Sequence, residues 1–168
     1  KFLIFGFTSF VYEQLINKLD VKKIKSFFEN SILIHGGGWK KMEKIKVSNE
    51  IFKRKLNKSL KINHIINYYG LIEQTGSIFF ECSKCGCFTP SEYSEVLIRD
   101  KNFKVLPKNK KGFIQLLSIL PKSYPGHSIL TEDIGQLINN NCKFCKIAKK
   151  FKVYGRAEQS EIRGCSDV

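Results

Sequence analysis

The sequence predicts an α/β protein in which a unit with parallel strands is followed by a β-rich subdomain. Apolar residues switch between helical and strand spacing over about the first 70 positions, and beyond Gly70 the chain breaks into short apolar stretches separated by Gly, Pro and Asn. Size agrees: 168 residues with 42% hydrophobic side chains can build a sizeable core without staples.

The elements follow in order. Phe10, Val11, Leu15, Ile16 and Leu19 share one helical face, predicting a helix over 8–19 with Thr8 or Ser9 as N-cap. Ser31-Ile32-Leu33-Ile34-His35 has the pattern of a buried strand emptying into the turn Gly36-Gly37-Gly38. Ile51, Phe52, Leu56 and Leu60 predict a second helix over 48–60, with Ser48 as its N-cap, and a strand over 62–69 follows. Stretches 77–81, 94–99, 112–120, 128–130 and 151–154 read as strands of the β-rich part, such as a distorted barrel. Lys1 before Phe2-Leu3-Ile4-Phe5 faintly has the order of a secretion signal, but no Ala-x-Ala-like site follows. No apolar run approaches the ~18 to 20 residues of a membrane-spanning helix. A cytoplasmic protein is expected, and the absent initiator Met suggests a processed chain or a piece of something longer.

A net charge of +14 invites a nucleic-acid reading. The cations are scattered, however, and only Arg54, Arg99, Arg156 and Arg163 are the residue type suited to bidentate phosphate contacts. The lysine-rich segments read as solvated faces, so no nucleic-acid partner is expected, and a basic, zinc-stabilised nucleic-acid-binding module is the competing class.

Of six cysteines, Cys82 and Cys85 form one Cys-x-x-Cys and Cys142 and Cys145 another. That spacing lets two thiolates of one tight turn meet the same tetrahedral ion, so the four are candidate ligands of a structural Zn2+, with Cys87 able to replace Cys82. Reduced thiols or two disulfides are the alternatives.

Other segments suit a nucleotide. Gly36, Gly37 and Gly38 after a strand permit close backbone approach to a ligand. Tyr69 offers a ring to stack on a base, Gly70 a close approach, and Glu73 a carboxylate for Mg2+ beside phosphates. Asp133 at a strand exit could accept hydrogen bonds from ribose hydroxyls, and Arg156 follows a short strand with a guanidinium for ribose or phosphate oxygens. Among the histidines, His64 is expected in the core, whereas His35 and His127 lie in motifs and could orient loops.

The order of these motifs resembles the adenylate-forming superfamily, which activates carboxylic acids with ATP. His35-Gly36-Gly37-Gly38-Trp39-Lys40-Lys41, the segment 69–76 running into Ile78-Phe79-Phe80-Glu81-Cys82, Ser123-Tyr124-Pro125-Gly126-His127 and Arg163-Gly164-Cys165-Ser166-Asp167 resemble the LuxE-type acyl-protein synthetase branch over nearly the whole chain. The resemblance implies that the glycine turn and Tyr69 flank adenine, Glu73 contacts Mg2+, Asp133 holds the ribose, Arg156 sits near a hinge and Cys165 carries the acyl group as a thioester. It implies an ATP-dependent acid-thiol ligase acting on a carboxylic acid, fatty or otherwise apolar, with an acyl-accepting or reductase protein as partner. An acyl-CoA ligase of the phenylacetate type shares the first step and differs in its acceptor.

On that reading 1–76 is the α/β part of the adenylate-binding domain, 77–155 a β-rich subdomain with the Cys-x-x-Cys knuckles, and 156–168 a hinge and the start of a truncated C-terminal domain. The chain departs from the superfamily pattern in three ways. The upstream phosphate loop is missing, Thr131-Glu132-Asp133 replaces the usual Thr-Gly-Asp, and no lysine after Arg156 can be assigned to adenylation. The chain therefore resembles the C-terminal portion of a longer enzyme, expected to be inactive alone.

Overall fold

The computed structural model describes residues 2–18, 25–122, 125–145 and 149–157. The chain forms two compact units that divide between Asn67 and Tyr68.

In the first unit, β1 (Leu3–Phe7) runs parallel to β2 (Ile32–Gly36), in register from Leu3 opposite Ile32 to Phe7 opposite Gly36. The segment with signal-like order is thus a strand. Helix α1 (Thr8–Val11) continues as a π-helical turn, Tyr12–Lys18; Leu19 lies outside the described residues. Neither expected N-cap operates: Phe7 occupies the cap position and makes no side-chain bond. Thr8 lies inside the helix, and its hydroxyl serves β2 instead. Short 3-10 turns, Lys25–Phe28 and Lys40–Ile45, flank β2 in sequence.

Helix α2 (Asn49–Leu60) starts at Ser48, whose Oγ accepts the N–H of Ile51 at 3.3 Å. It ends at Lys61, which takes the left-handed conformation (φ 55°) and donates its N–H to Asn57 O at 2.8 Å. Phe52, Leu56 and Leu60, four apart on one face, are fully buried with Leu33 and Ile62, and Val11, Tyr12, Trp39 and Ile65 complete this core. Burying each large apolar side chain stabilises the fold by roughly 1.5–3 kcal/mol.

Strand β3 (His64–Tyr69) starts two residues later than its expected bounds, and His64, expected in the core, is exposed. Its last two residues open the second unit: Tyr68 pairs with Phe80 and Tyr69 with Phe79 of β4 (Phe79–Glu81). The antiparallel order continues through β5 (Phe88–Thr89), β9 (Phe151–Arg156), β8 (Ser128–Leu137), β7 (Lys111–Ser118) and β6 (Ser94–Arg99). Among the described residues this order is linear, so the strands form an open sheet rather than a closed barrel. Alternate residues point inward: Val96 and Ile98 on β6, and Ile114 and Leu116 on β7, join Phe79, Phe88, Leu137 and Phe151 in a second core. No described helix is long and apolar enough to cross a membrane.

Candidate functional site

The glycine turn in the first unit is anchored by a small polar cluster. Thr8 Oγ1 donates to Gly36 O at 3.0 Å, which leaves it to accept from His35 Nδ1 at 3.0 Å. The proton of His35 therefore sits on Nδ1, and Nε2, buried against the Phe52 ring, has no partner among the described residues. Burial, reinforced by the charge of Lys53, lowers the His35 pKa to about 3, so the ring is neutral. Beyond this anchor Gly37 adopts φ +75°, which disfavours any other residue, and a Cβ at Gly38 would meet nothing within 4 Å. The turn thus presents bare, exposed backbone.

In the second unit three of the sequence-predicted residues meet. Tyr69, at the end of β3, donates its hydroxyl to Asp133 Oδ2 at 2.7 Å. Asp133 lies directly opposite Arg156 in the β8–β9 ladder, and Arg156 Nη1 is 3.8 Å from Glu132 Oε2. Burial, together with the Asp133 charge, holds the Tyr69 phenol well above its usual pKa. Its ring packs against Phe79, Phe88 and Phe151 at centroid distances of 6.0–6.2 Å, which fixes the direction of the hydroxyl. Thr131 orders the acid from behind: its hydroxyl donates to Ile114 O at 2.9 Å and accepts the Asp133 N–H at 3.1 Å. Glu132, standing where the superfamily pattern has glycine, is an ordinary exposed strand residue facing Arg156, so no glycine conformation is needed there.

After Gly70, whose Cβ would sit 3.2 Å from Ser77 O, the chain turns through Ile72–Gln74 and leaves the Glu73 side chain exposed. The next residue secures that turn: fully buried Gln74 donates from Nε2 to Gly126 O at 2.9 Å and to Leu116 O at 3.3 Å. A Cβ on Gly126 would fall 2.0 Å from Glu73 O, so only glycine lets the two backbones approach this closely. Neither Gln74 nor Thr8 was readable from periodicity, since a buried polar residue in a loop or at a helix start interrupts no pattern. An exposed Glu73 carboxylate is a hard oxygen donor of the type Mg2+ prefers.

The remaining predicted residues are the cysteines. Cys82, Cys85, Cys142 and Cys145 lie in the second unit with all four Sγ atoms within 4.8 Å of one another. Burial raises the Cys82 thiol pKa, but backbone N–H groups of Cys85 and Lys84 outweigh that and lower it, while those of Cys145 and Phe144 bring Cys142 down to about 6. Burial pushes Cys85 and Cys145 up. Cys165 lies outside the described residues.

Comparison with known proteins bears on the fold and the family of the chain. In fold the chain is similar to apo MatB from Rhodopseudomonas palustris, with a TM-score of 0.61, 14% identity, and coverage of 93% of this chain and 31% of that one. It is similar also to a benzoate CoA ligase from Burkholderia xenovorans LB400 (TM-score 0.62, 12% identity, 92% and 31% covered) and to a luciferase-like enzyme from the nonluminescent mealworm Zophobas morio (0.58, 17%, 92% and 38%). The chain thus has the α/β fold of part of an adenylate-forming enzyme, and spans about three tenths of the length of the first of these structures. Among curated proteins no sequence matches it. The family model for acyl-protein synthetase, LuxE, matches residues 1–168, end to end, and the chain belongs to that family.

Proposed function

We propose that this chain is the nucleotide-handling part of an enzyme that activates a carboxylic acid, fatty or otherwise apolar, with ATP. The carboxylate attacks the α-phosphorus of ATP, diphosphate leaves, and an acyl-adenylate forms. A thiolate then attacks the acyl carbonyl and AMP departs, giving a thioester. The observation that carries this reading is the meeting of Tyr69, Asp133 and Arg156 at one corner of a LuxE-family chain.

Each residue has a role suited to its surroundings. Asp133, held by Tyr69 and backed by Thr131, keeps acceptor capacity for ribose hydroxyls. Arg156 supplies a cation beside it for ribose or phosphate oxygens. Gly37 and Gly38 offer exposed backbone that a ligand can approach closely, whereas Gly36 is buried in β2 and Tyr69, its ring packed against Phe79, Phe88 and Phe151, serves by orienting Asp133 rather than by stacking on the base. Glu73 would hold Mg2+, which neutralises charge on the phosphates. Positioning and charge stabilisation thus supply the first step without an unusual nucleophile. Cys165 is the proposed thiol, and transfer to coenzyme A is the alternative fate of the acyl group.

The test is acid-dependent exchange of labelled diphosphate into ATP by the full-length protein. Exchange is expected for the native protein, and Asp133→Asn should slow it about 10- to 100-fold, the loss of one hydrogen bond to a charged group. Absence of exchange with acids from short to long would refute the activity. Cys165→Ser should abolish labelling of the protein by radioactive acid while sparing exchange, and continued labelling would move the thiol elsewhere.

A further inference from the structure

We propose that Cys82, Cys85, Cys142 and Cys145 bind one Zn2+ as a four-thiolate structural site, tying the β4–β5 turn to the β8–β9 connection. This inference stands apart from the ligase reading. The Sγ atoms of Cys82 and Cys142 are 3.9 Å apart and those of Cys85 and Cys145 3.7 Å apart. A tetrahedral ion with Zn–S bonds of about 2.3 Å sets neighbouring sulfurs about 3.8 Å apart, so one ion satisfies both distances at once.

Each turn offers its two sulfurs from one Cys-x-x-Cys, Cys82 with Cys85 and Cys142 with Cys145. Gly86, at φ +64°, closes the first turn and donates to Cys82 O at 2.9 Å. The turns also touch each other: Lys84 Nζ lies 5.0 Å from the centroid of the Phe144 ring. Lys84 and Lys143 place cations within both turns, which offsets the double negative charge of a zinc with four thiolates. Cys87, one residue too close to Cys85 for the Cys-x-x-Cys spacing, turns its sulfur to Cys85 O and Asn140 Nδ2 and is not a ligand.

Two disulfides would each join one pair and give no reason for four sulfurs to share one centre. Zinc does, and it requires no electron transfer: each thiol releases its proton to solvent as its sulfur binds. The position explains the need. The β5–β9 seam consists of one registered pair, Phe88 with Phe151, and the two turns lie at the ends of the strands that form it. An ion there closes a long loop across a seam of a single registered pair, and a clip that closes a long loop gains most.

Elemental analysis of the full chain, purified under reducing conditions without chelator, should find about one zinc per molecule. Cys85→Ser and Cys145→Ser should each lower that content at least about tenfold, whereas Cys87→Ala should leave it unchanged. Should the serine variants fail to fold, the native chain still decides the matter. After metal removal, added Co2+ should give thiolate-to-cobalt charge-transfer absorption with tetrahedral ligand-field bands. Iron in place of zinc, protein without metal, four sulfurs lost to disulfides on thiol titration, or an octahedral cobalt spectrum would each overturn the site.

Discussion

In the first unit the turn after β2 is held by neutral groups, Thr8, His35 and the Gly36 carbonyl, all buried and close to one another. In the second, the Tyr69 corner is built on charge: a carboxylate that accepts the Tyr69 hydroxyl and lies in register with Arg156, whose guanidinium is 3.8 Å from Glu132. Water still reaches Asp133 and Arg156, so their charges remain solvated, whereas the proton that would charge His35 goes to buried Nε2, which has no partner among the described residues. The comparison shows that the two turns answer to different perturbations. The buried neutral cluster is vulnerable to protonation, and the charged corner to loss of the backbone contacts that aim it.

The largest effect is expected where a backbone contact positions the second region. Gly126→Ala places a Cβ against the Glu73 carbonyl with no flexible side chain to yield, so the turn must move and Gln74 must give up its bond to Gly126 O. Destabilisation of about 3 kcal/mol is expected, at the upper end for overpacking, and chemical denaturation of the full chain measures it. A loss under about 1 kcal/mol would show that Gly126 is not the closure of this turn.

The first region should respond to acid. His35 titrates at about 3 in the folded chain but near 6.5 when unfolded, so between those values the unfolded chain takes up a proton that the folded chain refuses. Its contribution is fully present above pH ~6.5 and is lost as pH falls toward ~3, at about 1.4 kcal/mol per pH unit. His35→Leu removes the titration and leaves Thr8 donating to Gly36 O. The variant should show a stability profile flatter by that slope between pH ~4 and ~6, measured by denaturation at each pH. An unchanged slope would place the acid sensitivity on other groups.

The same contrast governs what the sequence discloses. Elements with one buried face announced themselves: the stripe Phe52, Leu56, Leu60 marks α2, and short apolar stretches bounded by polar or turn residues mark β6 and β7. β5 has two residues, too few for a period, and β1 is apolar on both faces, so its run carries no alternation to read. The Cys-x-x-Cys spacing says that each turn can offer two sulfurs to one ion. Only the fold, by laying β5 beside β9, brings turns 60 residues apart together. Polar residues were the least legible. Thr8 stands where a cap is expected yet serves His35, His64 lies on the strand expected to be buried yet faces solvent, and Gln74 is buried in a loop that reads as polar. For Thr8 and Gln74 a hydrogen-bond partner distant in sequence decides the placement.

The smallest effect should come from the most local interaction, and it tests whether locality rather than polarity separates the regions. Ser48 caps α2 through a single exposed bond to Ile51 N, a contact spanning three residues. Ser48→Ala should cost about 1 kcal/mol at every pH, because a hydroxyl does not titrate and the freed N–H can turn to water. If the loss instead tracks the His35 slope, the cap and the buried cluster act as one unit. A constant offset would show that α2 begins on its own terms, so that the acid response belongs to the β2 turn alone.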